Sequence, residues 1–507
     1  MEDGKPKSII PDVPLYGPIP SDEEKNISSP EKAGNSKKKS SFRKNKGKKG
    51  IASIGKAAQE EAASRAANTI KNVREGISTA KIENAVRTTN IPMIIMIFVI
   101  VVFGLIILYS VSGPDAYGLY QNSSYFLTRQ VAFTIAGFIA MFIISFIPID
   151  FFRQTWITFT AMALSVALAF LTLAMGVGRE HGASRWINIG PIQLQSSEII
   201  KVALIVAFAG YRSLLARLKE EGKIRKAKTK FGQAMITTGV EFVIPVGLCI
   251  FVDGIILLQP HLSCFIIIGI VIFMCALVSE IPFKSWVTGI GTILLLGGVL
   301  AVIVFAVMPA QKRDSYLKNY SHVFKRIAIF TADEDAVEEE EGGLTKDDTR
   351  QIDNAHNALG SGGMWGVGLG NSRSKYNYVS EAQNDYIFSI YIEETGFVGG
   401  VLLLAIYLAI FFLCLQVCFR AKDVFSRTIA TGCTALIFVE VIMNISVELQ
   451  VIPATGVTLP FVSYGGTAQV TLLMAYGLIL AVSRSGILHI QKKRPADPAR
   501  AIKPRVK

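Results

Sequence analysis

The stretch from Met308 to Tyr386 holds the densest set of residues able to do chemistry, set between two strongly apolar segments. Between Thr331 and Asp353 it carries ten acidic residues, Asp333, Glu334, Asp335, Glu338 to Glu341, Asp347, Asp348 and Asp353, against Lys346 and Arg350. Glycine then takes over, in Gly360-Ser-Gly-Gly363 and Gly366-Val-Gly-Leu-Gly370, before Asn384-Asp385 opens the next apolar run. A loop of this length in a compact protein is either functional or disordered. This one reads as a solvated acidic run followed by a turn-dense floor. A phosphate-cradling loop would need a preceding strand and a helix N-terminus, and no strand is readable here. Positive φ and close backbone approach account better for the glycines.

Other ionisable residues fall inside apolar runs. Glu198 and Lys201 stand at i, i+3 and share one helical face. An unpaired charge there would cost about 2.5–3.5 kcal/mol on an insertion scale, so the spacing predicts a pair. A structural pair and a substrate-facing pair both remain open. Asp385 stands where an apolar helix begins and reads as an N-cap. Glu393 and Glu394 lie deeper, and at least one must face protein.

These residues need a scaffold, and composition says which kind. The chain has 507 residues, 51% hydrophobic, with a mean hydropathy of +0.42, which points to a polytopic membrane protein. The net charge of +13 is not a nucleic-acid footprint. Its excess lies in the first ninety residues, one internal loop and the tail, where membrane topology puts lysine and arginine. Residues 1–90 read as a disordered basic cytoplasmic arm that touches anionic lipid, with a weak amphipathic helix between Ile54 and Val86. No apolar segment with a cleavage site opens the chain, so no removable signal peptide is expected. The six cysteines sit in or beside apolar runs without zinc or disulfide spacing, and read as packing residues.

Ten segments are long enough to span, near 91–113, 126–148, 156–177, 196–213, 235–257, 262–281, 286–308, 386–416, 428–446 and 466–484. The expectation is an all-α polytopic membrane protein with about ten transmembrane helices. Its large extracytoplasmic loop, 309–385, falls between spans 7 and 8, and a basic cytoplasmic tail occupies 486–507. Loop charges set the orientation: Arg153, the cluster from Arg212 to Lys230, Lys284, Arg420, Lys422 and Arg427 fall on one side with the tail. Loops 114–125 and 447–465 have no lysine or arginine. Both termini are therefore expected in the cytoplasm. The outer connections carry the unusual text, including Gln259-Pro-His-Leu-Ser263 and Pro453-Ala-Thr-Gly-Val-Thr-Leu-Pro460. An active outer surface follows.

Several of these runs together resemble one family. They are Gly182-Ala-Ser-Arg-Trp-Ile-Asn-Ile-Gly190, Gln195-Ser-Ser-Glu-Ile-Ile-Lys201, Ala358-Leu-Gly-Ser-Gly-Gly-Met-Trp-Gly-Val-Gly-Leu-Gly-Asn-Ser372, Asn384-Asp-Tyr-Ile-Phe388, Glu393-Glu-Thr-Gly-Phe397 and Pro460-Phe-Val-Ser-Tyr-Gly-Gly466. Their order over 91–485 is similar to that of the FtsW/RodA/SpoVE, or SEDS, proteins of bacteria. The resemblance implies a ten-helix peptidoglycan glycosyltransferase of the bacterial cytoplasmic membrane. It would polymerise lipid II with a class B penicillin-binding protein and other divisome or elongasome proteins. The family's essential aspartate follows an Arg-Ile…Phe stretch. Here Arg326-Ile-Ala-Ile-Phe330 precedes Asp333-Glu-Asp335, which carries the general-base role to Asp335, with Asp333 second. Arg185, Lys201, Lys325 and Arg326 are the implied cations for the leaving pyrophosphate. Glu198, Asp385 and Ser463 complete the implied substrate site, and a divalent cation (Mg or Mn) could share the charge.

Departures stand beside the match. The family's Pro-Trp before its aspartate is missing, and the acidic insertion lets Asp347 or Asp348 slide into register. Ser196 and Ser380 replace the usual prolines, and His261 stands where aspartate is common. Thr458 leans the chain to the division and sporulation branch. A lipid-linked precursor flippase and a non-catalytic scaffold share the span count and stay open as alternatives.

Overall fold

In the computed structural model the described residues are 90–176, 185–190, 192–224, 227–259, 261–307, 346–376, 382–453 and 455–493. They lie in one compact unit. The N-terminal arm, Lys325, Arg326, Asp333, Asp335 and Ser380 fall outside them.

In chain order the helices are α1 (Ile91–Tyr120), α2 (Tyr125–Phe146), the single turn α3 (Ile149–Phe152) and α4 (Thr155–Met175). A hairpin follows, with β1 (Trp186–Ile189) antiparallel to β2 (Ile192–Gln195) and Trp186 opposite Gln195. Then come α5 (Ser196–Glu220), α6 (Lys230–Thr238), a π-helical turn (Gly239–Val243), α7 (Ile244–Leu257), α8 (Leu262–Val278) and α9 (Phe283–Val307). After the long loop stand α10 (Lys346–Ser361), α11 (Ile387–Arg420), α12 (Val424–Glu448) and α13 (Gly466–Lys493). Apart from the hairpin the described fold is all α.

Among the described residues, eight helical segments are long and apolar enough to cross a membrane, with Lys230–Leu257 acting as one span through its π turn. Two shorter apolar stretches, Leu262–Val278 and Phe283–Val299, stand where the sixth and seventh expected spans begin. Burial ranks the helices. The most apolar window of α12 is 78% buried, against 22% in α2 and α4, so α12 is the axis and those two face lipid. It packs on α5, α8, α11 and α13 through side chains such as Ile429, Cys433, Leu436 and Ile437. All six cysteines are free and buried, as packing residues should be.

Local chemistry explains the ends. Asp423 caps α12 by accepting from the Ser426 N–H at 2.9 Å and pairs with Arg153 at 2.6 Å. Burial would raise its carboxyl, but these two partners outweigh that and hold it below the usual range. The π turn leaves carbonyls without regular helical partners. Tyr211 donates to the Val240 carbonyl at 2.9 Å and Arg212 to that of Glu241 at 3.2 Å.

Candidate functional site

Three polar assemblies converge at the end of the bundle where α4 meets α5 and α12 meets α13. The first is built on α5. Lys201 donates to Glu198 at 2.8 Å, which is the pair its spacing predicts, and also to Glu440 of α12. All three side chains are buried. The hairpin sits above this triad, tied to α13 because Thr467 accepts from the Gln195 N–H and donates to the Gln193 carbonyl, each at 3.3 Å. Arg185 immediately precedes β1. His261, just before α8, is buried. Burial first, then the positive charges of Arg185 and Lys201, push its imidazole well below its ordinary pKa. It is therefore neutral near pH 7, with Arg185 and Lys201 near enough for their charges to act on it.

The second assembly runs along α12, where Glu440, Asn444 and Glu448 stand at i, i+4 and i+8 on one face. Asn444 donates to the Asp385 carbonyl at 3.0 Å and the Val457 carbonyl at 2.8 Å. Glu448 accepts from the Phe388 N–H at 3.3 Å, the Ser389 N–H at 2.6 Å and the Ser389 hydroxyl at 2.7 Å. The reading of Asp385 as N-cap is thus corrected. Tyr386 occupies the cap without a side-chain bond, and the orphan donors of α11 are satisfied across space by Glu448. Ser463 is buried, and its hydroxyl accepts from the Leu459 N–H at 2.9 Å. It holds the shape of the 459–463 turn.

The third assembly explains the glycine-rich text. Gly396 has φ 72° inside α11 and interrupts its hydrogen-bond ladder. Segment 363–368 supplies the missing partners. Val367 and Gly368 donate to the Glu393 and Glu394 carbonyls at 3.0 and 2.9 Å, while Phe397 and Val398 donate to the Gly363 and Met364 carbonyls at 2.9 and 3.2 Å. An added Cβ on Gly366 (φ 74°) would stand 2.2 Å from the Glu394 carbonyl oxygen, and on Gly396 2.4 Å from the Gly366 nitrogen. Close approach and positive φ are indeed what these glycines provide. Both glutamates face protein. Glu394 accepts from Lys375 at 2.8 Å and Ser110 at 2.6 Å, and Glu393 accepts from Ser372 at 2.5 Å.

Gly396→Ala should lower stability by roughly 1–3 kcal/mol from backbone strain alone, with the clash adding to that. A falling thermal midpoint in detergent checks it. An unchanged melting curve would contradict the docked-loop account.

The structure therefore brings Glu198 and Lys201 together, sets Arg185 and Lys201 near enough to act on His261, and joins the Asp385 carbonyl to Asn444 of the α12 stripe. Asp347 and Asp348 begin α10, which packs on α11. Sequence reading missed Glu440, Asn444, Glu448, Lys375 and Ser110. The four-residue spacing on α12 was the available signal for the first three; Lys375 and Ser110 had none, because 265 positions separate them. Among the described residues, no three His, Cys, Asp or Glu side chains gather to hold a metal. An apolar cavity of about 220 Å³ between α7, α8 and α9 is lined by Phe242, Asp253 and Trp286, and holds none of the site residues.

Eight membrane-length helices among the described residues, with charge buried against a central one, define a multi-pass α-helical membrane protein with an elaborated polar end. Residues 91–486 match the profile of the FtsW/RodA/SpoVE family, described as cell cycle proteins. The chain belongs to this SEDS family of peptidoglycan-related membrane proteins. It is 31% identical over 397 residues to stage V sporulation protein E of Bacillus subtilis, covering 77% of this chain and 96% of that protein. It is 28% identical over 398 residues to a probable peptidoglycan glycosyltransferase FtsW of Trichlorobacter lovleyi, covering 78% and 93%. Among solved structures, a chain of a peptidoglycan synthase complex superposes with a TM-score of 0.53 at 22% identity, covering 78% of this chain and 98% of that one. The rod shape determining protein RodA of Thermus thermophilus gives 0.50 at 21%, covering 78% and 97%. Both likenesses concern the fold.

Proposed function

We propose that the chain is a peptidoglycan glycosyltransferase that polymerises lipid II at the outer face of the cytoplasmic membrane. The observation that carries this reading is the buried triad of Glu198, Lys201 and Glu440 beside Arg185 and His261, in a chain of this family. The proposed topology has ten spans, with α8 and α9 as the sixth and seventh, both termini cytoplasmic, and the 309–385 loop outside. The basic arm would rest on anionic lipid.

In the proposed reaction the 4-hydroxyl of an acceptor GlcNAc attacks the anomeric carbon of MurNAc. A new C–O bond forms, the bond to the diphosphate breaks with inversion, and undecaprenyl diphosphate leaves. The hydroxyl proton passes to a carboxylate acting as general base, worth roughly 10²–10⁴ in rate. Asp335 takes this role, with Asp333, Asp347 and Asp348 as the alternatives that the acidic insertion creates. Charge developing on the diphosphate needs cations. Lys201 is shared between two carboxylates, so little of its charge is left for the leaving group. That favours Arg185 with Lys325 or Arg326, and gives the triad the task of orienting α5. Glu198, through Lys201, and Ser463, through the 459–463 turn, then shape the site from behind, with Asp385 nearer the substrate.

A class B penicillin-binding protein is the proposed partner, supported by the likeness to a chain of a synthase complex. Thr458 and the sporulation and FtsW relatives favour a division or sporulation role. Purified protein given lipid II, with and without that partner, should produce glycan polymer. Inertness in both conditions would refute the reading.

A further inference from the structure

The apolar cavity of about 220 Å³ between α7, α8 and α9 takes no part in the three polar assemblies, yet a buried acid faces it. Asp253 lines one end, about one turn inside the terminus of α7 at Leu257. The residue is 2% exposed, and its Oδ1 has no hydrogen-bond partner. No lysine or arginine stands in the wall. The opposite end is aromatic. There the Trp286 ring centre lies 5.0 Å from that of Phe242 and 5.5 Å from that of Phe273. Phe242 and Asp253 are about 16 Å apart along the helix axis, at about 1.5 Å per residue. Between the two ends the lining side chains are aliphatic, apart from the Cys249 thiol. Ile250, Ile290 and Leu294 of the wall are exposed, so the cavity opens sideways toward lipid.

We propose that this cavity binds an aliphatic alcohol from the membrane, with its hydroxyl on Asp253 and its chain running toward Trp286. A lone charge in such a wall is expensive, and so is an unpaired polar group. Water answers the acid poorly, because a buried water needs about three polar partners and would find one carboxyl. A neutral carboxyl has one O–H donor and a carbonyl acceptor, while a hydroxyl gives one proton and accepts another. The two groups therefore satisfy each other, and the chain covers the aliphatic wall. An ammonium brings three donors, and one carboxylate leaves at least one of them facing hydrocarbon. A plain hydrocarbon leaves the acid unpaired. A dry cavity of about 150 Å³ holds benzene, so about 220 Å³ takes a chain of about nine carbons, and the open side admits a longer one. Bound there, the chain would brace α9 against α7 and α8. This site goes beyond the glycosyltransferase reading and does not depend on it.

The test uses the full chain in lipid nanodiscs with Trp156→Phe, Trp186→Phe and Trp365→Phe, which leave Trp286 as the one tryptophan. Decanol brominated at the end opposite its hydroxyl should quench Trp286 fluorescence from the proposed pose. The quenching should saturate and be reversed by excess decanol. Bromodecane, which lacks the hydroxyl, should give only the unsaturated quenching of a membrane solute. Asp253→Leu removes the orphan oxygen, so it should melt at or above the parent midpoint while binding at least about tenfold more weakly. Asp253→Asn keeps a donor and an acceptor without charge and should keep saturable binding. Absence of saturable quenching in the parent overturns the proposal, as does saturation that bromodecane matches or that persists unchanged in Asp253→Leu. Loss of binding in Asp253→Asn overturns it too, because the ligand then needs a charge that an alcohol does not read.

Discussion

Asp335→Asn should abolish glycan polymerisation while leaving membrane levels and partner binding near wild type. Asparagine keeps the size and much of the hydrogen-bonding capacity of aspartate but cannot take a proton near neutral pH. Loss of a positioned base removes roughly 10²–10⁴ in rate, which puts turnover below detection in most gel assays. If Asp335 is only one more solvated charge in an acidic run, the same change should shift stability by less than about 0.5 kcal/mol and leave activity intact. Asparagine at Asp333, Asp347 and Asp348 supplies the comparison. If one of those is the sensitive position, the base moves there and the register of the insertion changes with it. Assay of the four purified variants on lipid II decides among them.

Lys201→Ala should be the most damaging single change in the bundle. It strands Glu198 and Glu440 side by side, both buried and with no cation between them. Breaking a buried ion pair costs about 3–5 kcal/mol, and mutual repulsion of two carboxylates adds to that. Glu198→Ala should cost less, because the Lys201–Glu440 pair survives it. This asymmetry follows from the third partner and would not be expected of an isolated i, i+3 pair. Thermal melts in detergent measure it, and equal losses in the two variants would contradict the shared lysine. The combined variant Glu198→Gln, Lys201→Met, Glu440→Gln removes the charges together and should recover folding. Its activity then separates scaffold from site. Full polymerisation by the folded triple variant would leave the triad with a structural role alone.

How much of this was legible beforehand depended on sequence distance. The apolar runs, the Glu198–Lys201 pair and the special role of the glycines could be read, because helix periodicity and glycine's freedom are local properties. Glu440 could not be assigned to Lys201, since 239 positions separate them and only the packing of α5 on α12 joins them. The cap on α11 was misread for the same reason. Asp385 is the local candidate, but Glu448 arrives from another helix and accepts from the Phe388 and Ser389 N–H groups. The break at Gly396 was hidden because the groups that replace its lost hydrogen bonds lie in a loop about thirty residues upstream. His261 showed only as an unusual residue, and its neutrality comes first from burial and then from the charges of Arg185 and Lys201, both of which only folding supplies.

The central claim is that this chain joins sugars rather than moving their lipid carrier. It is tested most directly in proteoliposomes holding the wild-type chain and its partner, supplied with fluorescent lipid II. Polymer is resolved on a gel, and transbilayer exchange is followed in the same vesicles. The account predicts a ladder of glycan products and an exchange rate equal to that of protein-free vesicles. Accelerated exchange without polymer would contradict it.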